Sequence, residues 1–219
     1  MIDDDKLKKE LARLEGMKEY EHKFSEFTIA GIDEAGRGPL FGPVVAGCVV
    51  LDMDVDILYI NDSKKLSEKK RNLIYDELID KSKAYGIGIV DNEIIDKINI
   101  LEATHLAMKE ALTNCDKMYY EKYNKHIDML LVDALHIKNI DVKQVAIIHG
   151  DQLSISIAGA SILAKVTRDR MMIELDKQYP EYGIASHKGY GTKAHIDALK
   201  KYGATPLHRK TFITKFVNE

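Results

Sequence analysis

Apolar residues follow two different periodicities in the first quarter of the chain. In residues 3–24 they are spaced three or four positions apart among charged residues, which predicts a surface helix weakened at Gly16. The residues on that apolar face are Leu7, Leu11, Leu14 and Met17. Continuous apolar runs rich in β-branched residues then occupy 27–33 and 42–51, on either side of a Gly/Pro-rich loop. These two runs predict adjacent buried strands.

Helical and extended patterns alternate through the rest of the chain. Helices are predicted over 67–84, over 92–118 in two pieces, over 154–178 and over 193–201. Strands are predicted over 86–90, 126–133 and 144–151. Two adjacent strands followed by strands that alternate with helices are typical of an α/β protein. We therefore predict a mixed β-sheet covered by helices.

Acidic residues stand at the ends of three predicted strands. Asp33 and Glu34 follow FTIAGI, Asp133 follows IDMLLV, and Asp151 follows VAIIHG. Sites in such sheets form at the carboxyl ends of strands, so we expect these carboxylates to lie close together. Carboxylates that crowd together repel one another unless a divalent cation neutralises them, and oxygen ligands suit Mg²⁺ or Mn²⁺. The pattern indicates a metal site for phosphoryl transfer, although any one of these acids is explained equally well as a cap of the following turn.

The loop after the first two acids is rich in glycine. It contains Gly36, Arg37 and Gly38, and glycines there permit a close approach of the backbone to a ligand. The glycine spacing differs from that of dinucleotide-binding loops, and no G-K-[ST] ends the loop as in a phosphate-binding loop of NTPases. We interpret it as a loop that approaches a sugar or phosphate beside the carboxylates; a plain tight turn is the alternative.

A second candidate segment, SHKGYGTKAH (186–195), places Tyr190 between two glycines and near two lysines. Such a loop suits stacking on a base or sugar while the lysines contact phosphates. His187 and His195 are either phosphate contacts or structural residues. The segment HRKTF (208–212) is predicted to continue the positive surface.

Composition and charge limit the class of protein. The chain has 219 residues, of which 45% are hydrophobic and 31% charged, as expected for one main folded domain with appendages. The net charge is −3, yet residues 186–219 hold seven basic and two acidic side chains, which indicates either a nucleic-acid-facing end or a solvated helix. No apolar run approaches the ~20 residues of a membrane span. The lack of a signal peptide and the presence of only two cysteines, Cys48 and Cys115, lead us to expect a cytoplasmic protein.

Seven motifs in order resemble those of the type 2 ribonucleases H, specifically bacterial ribonuclease HII. The first is AGIDEAGRGPLFGPVVAG, at 30–47. The others are DSKKLS, LLVDA with the later GD, SISIAGASILAKVTRD, YPEYG, HKGYGT and HRKTF. The resemblance covers about residues 28–213 and implies a ribonuclease H-like mixed sheet flanked by helices, with a basic C-terminal helical extension.

The resemblance also implies roles for individual residues. The metal-binding catalytic carboxylates of the family correspond to Asp33, Glu34, Asp133 and Asp151. Its glycine–arginine–glycine loop, which contacts the 2′-hydroxyl of a ribonucleotide, corresponds to Gly36, Arg37 and Gly38. The tyrosine that senses the RNA–DNA junction corresponds to Tyr190, and Lys64 resembles a phosphate contact. Asp169 matches an aspartate that we interpret as structural.

The activity implied is that of a metal-dependent endonuclease with two Mn²⁺ or Mg²⁺ ions. It would cleave the RNA strand of RNA–DNA hybrids and the 5′ side of ribonucleotides embedded in duplex DNA, leaving 5′-phosphate and 3′-hydroxyl ends during replication and repair. We expect a monomer with a helical extension over 1–26 and a catalytic domain over 27–219, in which about 186–219 bind nucleic acid. Two alternatives are a repair endonuclease that reads a damaged base and a non-catalytic hybrid-binding module.

Overall fold

The computed structural model describes residues 4–217, in which helices cover both faces of a five-stranded sheet. The strands are β1 (Ile29–Ala35), β2 (Val44–Val50), β3 (Ala84–Val90), β4 (Met129–Asp133) and β5 (Lys143–Ile147). The helices are α1 (Asp4–Gly16), α2 (Glu19–Lys23), α3 (Glu68–Lys81), α4 (Asn92–Ile98), α5 (Ile100–Tyr123), α6 (Gly150–Leu153), α7 (Ile155–Asp176), α8 (Ile184–His187), α9 (Lys193–Tyr202) and α10 (Lys210–Ile213). Single 3-10 turns lie at Ser63–Lys65 and Pro180–Tyr182.

The strand order β3-β2-β1-β4-β5 places β1 at the centre of the sheet. It pairs antiparallel with β2 and parallel with β4, while β4 pairs parallel with β5. The prediction of a mixed sheet covered by helices is therefore confirmed. Since β1 and β4 run side by side in the same direction, their carboxyl ends meet at one edge, where β1 carries Asp33 and Glu34 near its end and β4 ends on Asp133.

The helices α5 and α7 lie on opposite faces of the sheet, each over a core of buried apolar residues. Glycines on the strands let α7 come close. A Cβ on Gly31 would lie 2.1 Å from the carbonyl carbon of Ser156, and one on Gly47 would lie 2.5 Å from the carbonyl oxygen of Ala160. The α7 residues at these two contacts, Ser156 and Ala160, are themselves small, so the helix packs closely on the sheet. These contacts fix the distance between α7 and the acidic end of β1.

Most predicted elements differ from the structure by a few residues at their ends, and two differ in kind. The helix predicted over 3–24 is two helices, since α1 ends at Gly16 and α2 starts at Glu19; residue 3 lies outside the described part of the chain. The strand predicted over 144–151 ends at Ile147. His149 then adopts a left-handed backbone conformation, with φ at +58°, and the chain turns into α6. Asp151 therefore lies on a helical turn and not at the end of a strand.

The helical region predicted over 92–118 is indeed in two pieces. Asn99, with φ at +69°, separates α4 from α5, and its side-chain oxygen caps α5 by accepting from the N–H groups of Leu101 and Glu102.

Within residues 4–217, none of the helices combines the length and the apolar character that crossing a membrane requires.

Candidate active site

The predicted acids gather at one edge of the sheet. Asp33 and Glu34 lie near the end of β1, and Asp133 ends the neighbouring strand β4. Asp151 is brought to the same place by α6, whose first N–H, from Gly150, donates to Asp133 Oδ1 at 2.9 Å. The four carboxylates therefore lie together as predicted, but Asp151 is contributed by a helix and not by a strand.

The electrostatics of the edge reflect this crowding. Burial, followed by the charges of Glu34 and Asp133, raises the pKa of Asp33 well above its usual range. Burial also raises the pKa of Glu34, although Arg37, whose Nη1 lies 3.3 Å from Glu34 Oε1, opposes the rise. Negative charge is thus concentrated here beyond what the nearby cations neutralise.

Asp62, a residue that sequence reasoning did not single out, belongs to the same cluster. Burial raises the pKa of Asp151 to about 6, and the next largest cause is the charge of Asp62. Asp62 is buried and its Oδ1 accepts from the N–H of Lys64 at 2.9 Å, which caps the 3-10 turn at Ser63–Lys65. The DSKKLS motif could have pointed to Asp62, but a role was assigned only to Lys64 in that motif.

Lys64 faces this group of carboxylates. Burial alone would lower the pKa of Lys64, but the surrounding carboxylates, Asp33 foremost, raise it above the ordinary value. The ammonium group is therefore held in its charged form at the acidic edge. A fixed cation at that position suits a contact with a phosphate of a substrate.

The donor chemistry of the edge fits divalent metal ions. The side chains offer carboxylate oxygens, which suit Mg²⁺ or Mn²⁺, and the raised pKa values mark charge that such ions neutralise. Within the described range 4–217, however, no three acidic, histidine or cysteine side chains stand in a ready-made metal cage. Glu34 is paired with Arg37, and Asp133 accepts from the N–H of Gly150.

The glycine-rich loop after β1 is held from beneath by two buried arginines. Arg209 is fully buried and donates to the carbonyl oxygens of Gly36, Arg37 and Gly42 at 2.6, 2.8 and 2.9 Å. Arg168 donates to those of Phe41, Pro43 and Lys188 at 3.1, 3.0 and 2.9 Å. Burial lowers the pKa of Arg168 to about 10 and that of Arg209 to about 9, so both stay charged at neutral pH.

The first two residues of HRKTF do not continue the positive surface as predicted. His208 and Arg209 are both fully buried. Main-chain carbonyl groups of the glycine-rich loop accept from Arg209, whereas the ring of His208 bonds to the N–H of Thr205 and to His195. Gly36 itself needs glycine, since its φ is +96° and a Cβ would lie 2.1 Å from Arg168 Nε. The loop is therefore a rigid turn fixed in a defined conformation.

Tyr190 stands beside the glycine-rich loop. Its side chain is 44% exposed, and a Cβ added to Gly38 would lie 3.8 Å from Tyr190 Cε1. The loop that carries Tyr190 is tied to the other loop by the N–H of Leu40, which donates to the carbonyl oxygen of Gly189 at 2.8 Å. The structure thus brings the two candidate recognition segments together, next to the carboxylates.

A chain of hydrogen bonds between two histidines supports Tyr190 from below. The N–H of Thr205 donates to His208 Nδ1 at 3.0 Å, so His208 Nε2 carries the proton and donates to His195 Nε2 at 3.1 Å. His195 Nδ1 then donates to the carbonyl oxygen of Tyr190 at 2.9 Å. His195 is fully buried and is a structural residue, not a phosphate contact. His187 stacks on it and donates from Nε2 to the carbonyl oxygen of Tyr182.

Asp169 has a structural role, as expected. Its ion-pair partners are not the adjacent arginines, Arg168 and Arg170. Asp169 Oδ1 accepts from Lys165 Nζ at 2.7 Å, and its other oxygen lies 3.7 Å from Arg71 Nη2. The adjacent Arg168 points to the glycine-rich loop instead.

Comparison with known proteins gives a consistent result. The family model described as ribonuclease HII matches residues 30–215. The chain is 54% identical over 212 residues to ribonuclease HII of Clostridioides difficile (strain 630), covering 95% of this chain and 80% of that protein. It is 53% identical over 214 residues to ribonuclease HII of Caldanaerobacter subterraneus subsp. tengcongensis, covering 96% and 86%.

Solved structures show the same fold. The crystal structure of ribonuclease H2 from Pyrococcus horikoshii OT3 matches with a TM-score of 0.63 and 28% identity, over 84% of this chain and 92% of that one. Bst-RNase HIII in complex with Mn²⁺ matches with a TM-score of 0.66 over 90% of this chain and 70% of that one; at 16% identity it shows the fold alone.

Proposed function

The chain belongs to the ribonuclease HII family, and we propose that the carboxylates at the acidic edge of its sheet carry out that family's reaction. Enzymes of this family are endonucleases that cleave the RNA strand of RNA–DNA hybrids and ribonucleotides embedded in duplex DNA. The observation that carries the residue assignment is the meeting of Asp33, Glu34 and Asp133 at adjacent strand ends. Asp151 joins them through α6.

The four carboxylates would hold two divalent ions, Mg²⁺ or Mn²⁺. Asp33 is the best candidate to contact both, because it is buried and the charges of both Glu34 and Asp133 raise its pKa. When bound, such ions lower the pKa of an attacking water and stabilise charge on the departing 3′ oxygen. The water would lose a proton as its oxygen bonds to phosphorus, the P–O3′ bond would break, and the 3′ oxygen would take up a proton. The products carry a 5′-phosphate and a 3′-hydroxyl.

Recognition of the ribonucleotide falls to the residues beside the acids. Gly36, Arg37 and Gly38 would contact the 2′-hydroxyl, the one group that distinguishes RNA from DNA at that position. Support comes from the fixed conformation of the loop, since the buried guanidinium of Arg209 holds the carbonyl oxygens of Gly36 and Arg37. Tyr190, exposed next to Gly38, would stack at the RNA–DNA junction.

The remaining substrate contacts would be electrostatic. Lys64 would bind a backbone phosphate near the scissile bond, because it is held charged at the carboxylate cluster. The basic segment over about 186–219 would lie along the duplex and attract it through its lysines. We assign residues 27–219 to this catalytic domain and 1–26 to an N-terminal helical extension.

The expected physiological setting follows from the same features. One chain supplies all four acids and both recognition loops, which supports action as a monomer. Cys48 and Cys115 are free thiols in the buried core, which suits a reducing cytoplasm. There the enzyme would remove ribonucleotides during DNA replication and repair.

The experiment that tests this function compares three labelled duplexes in Mg²⁺ and in Mn²⁺. They are a DNA duplex with one embedded ribonucleotide, the same duplex made only of DNA, and an RNA–DNA hybrid. We expect cleavage on the 5′ side of the single ribonucleotide and within the RNA of the hybrid, with 5′-phosphate products. Cleavage of the all-DNA duplex would favour a repair endonuclease, and binding without cleavage would favour a hybrid-binding module.

A further inference from the structure

The N-terminal helices contact the segment that follows Asp151. Glu21, on α2, is only 4% exposed, and its Oε1 accepts from Ser154 Oγ at 2.6 Å and from the N–H of Ser156 at 3.1 Å. The N–H of Ile155 donates to the carbonyl oxygen of Met17 at 2.9 Å. Two of the three bonds are made by a buried carboxylate, so the contact is specific.

These bonds satisfy the first turn of α7, a helix of 22 residues. The N–H groups of a first turn have no partners within the helix. Here Met17 accepts from Ile155, Glu21 from Ser156, and the side chain of Ser154 from Ile157, at 3.2 Å. The carboxylate of Glu21 also lies at the positive end of the helix dipole, where a negative charge is favourable. The extension thus completes the cap of α7.

The capped turn is continuous with the turn that carries Asp151. Ser154, which Glu21 contacts, is the single residue between α6 and α7. Its N–H donates to the carbonyl oxygen of Gly150 at 2.8 Å. Gly150 in turn donates to Asp133. A shift of Ser154 would therefore move α6 and change the position of Asp151 relative to Asp133.

The helix α1 contacts the chain just before Lys64 in a similar way. Glu10 Oε1 accepts from the N–H of Tyr59 at 2.6 Å, and Arg13 Nη2 donates to the carbonyl oxygen of Ile60 at 2.7 Å. Glu10 and Arg13 also pair with each other. The segment they hold leads directly into Asp62, the residue whose carboxylate faces Asp151. The extension thus contacts both segments that complete the acidic edge.

We propose that Glu21 is a positioning residue for the active site, which fixes Asp151 by capping α7. The inference rests on the proposed role of Asp151 as a metal ligand. It gives the N-terminal helices a part in metal binding, in addition to the apolar cover that Leu14 and Met17 provide.

The test compares variants of the full-length protein in Mn²⁺ titration calorimetry without nucleic acid. Glu21→Ala removes the cap, and we expect the dissociation constant for Mn²⁺ to rise about tenfold, as for other residues that orient metal ligands. Glu21→Gln keeps an oxygen acceptor and should stay within about threefold of wild type. Affinity for an RNA–DNA hybrid, measured without divalent ions, should not change in either variant.

Leu14→Ala serves as the matched control, since Leu14 is 1% exposed on the same extension but makes no bond to α7. Loss of the buried leucine side chain should lower thermal stability, while the dissociation constant for Mn²⁺ should stay near the wild-type value. Hydrogen exchange should report faster exchange of amides 150–157 in Glu21→Ala and not in Glu21→Gln. If Glu21→Ala does not fold, Glu21→Asp, which withdraws the carboxylate by one methylene, should show the same two changes.

The inference is overturned if Glu21→Ala binds Mn²⁺ with the wild-type constant, or if Leu14→Ala weakens Mn²⁺ binding equally. Either result would make the extension a general stabilising element. These outcomes are separate from a failure of the proposed function, which would appear as absence of ribonucleotide-dependent cleavage by the wild-type protein.

Discussion

The guanidinium of Arg209 donates to the main-chain carbonyl oxygen of Gly36 at 2.6 Å, across nearly the whole length of the chain. The same group also binds the carbonyl oxygens of Arg37 and Gly42. A residue near the C-terminus therefore fixes the loop proposed to read the 2′-hydroxyl. A loop backbone held from behind in this way is already ordered before substrate binds, which reduces the entropic cost of recognition.

Replacement of Arg209 by lysine should loosen this loop. Lysine keeps the charge but has no planar fork, so it cannot reach all three carbonyl oxygens. We expect the free energy of unfolding to fall by about 3 kcal/mol and kcat/KM for a single embedded ribonucleotide to fall at least about tenfold. Urea unfolding and steady-state kinetics measure the two effects. Arg170→Lys, at an exposed arginine, is the control and should change neither quantity; equal behaviour of the two variants would refute the role of Arg209.

Tyr190→Ala should separate recognition from stability. The ring is 44% exposed, so its removal should change the free energy of unfolding by less than about 0.5 kcal/mol. Loss of a stacking contact should reduce the preference for cleavage at an RNA–DNA junction about tenfold, measured as the ratio of cleavage rates at junction and internal positions of one substrate. Tyr202→Ala, at a tyrosine of similar exposure, should leave the ratio unchanged. A wild type without any junction preference would remove the basis of this assignment.

The two buried histidines should make the fold sensitive to acid. Burial, and then His195, lowers the pKa of His208 to about 4 from 6.5. Above pH 6.5, His208 is neutral in both the folded and the unfolded chain, and its contribution to the free energy of unfolding is complete. As the pH falls from 6.5 to about 4, only the unfolded chain takes up a proton on this residue. The folded state should therefore lose about 3 kcal/mol over this interval from this residue.

Urea unfolding of wild type and His208→Gln at pH 7, 6, 5 and 4 measures this contribution. The difference in unfolding free energy between the two proteins should be largest at pH 7 and shrink towards pH 4. The comparison cancels the carboxylates, whose raised pKa values, such as that of Asp33, act in the opposite direction. A constant difference across this range would show that His208 does not titrate as described.

The sequence was informative where local pattern determines structure. Asp33, Glu34 and Asp133 follow apolar runs that read as strands, and parallel strands bring such ends together. Asp151 was assigned to a strand end because its preceding residues are also apolar. The structure instead bends at His149, a change that depends on one left-handed residue rather than on any periodicity.

Residues whose burial depends on distant partners were not predictable. His208 and Arg209 lie in a run of basic residues, yet both are fully buried. Arg209 donates to the carbonyl oxygens of Gly36, Arg37 and Gly42, and the ring of His208 bonds to the N–H of Thr205 and to His195. Asp62 was missed for a related reason. Its proximity to Asp151 arises only when the segment after β2 folds over α6.

The catalytic role of the acidic edge is tested most directly by the cleavage of a duplex with one embedded ribonucleotide by wild type and by Asp33→Asn. This substitution removes the charge most central to the acidic edge and leaves the basic surface and both recognition loops in place. We expect the variant to lose more than about 10²-fold in cleavage rate in either Mg²⁺ or Mn²⁺ while binding the duplex with wild-type affinity. Cleavage by Asp33→Asn at a rate close to that of wild type would contradict the assignment of this edge as the catalytic centre.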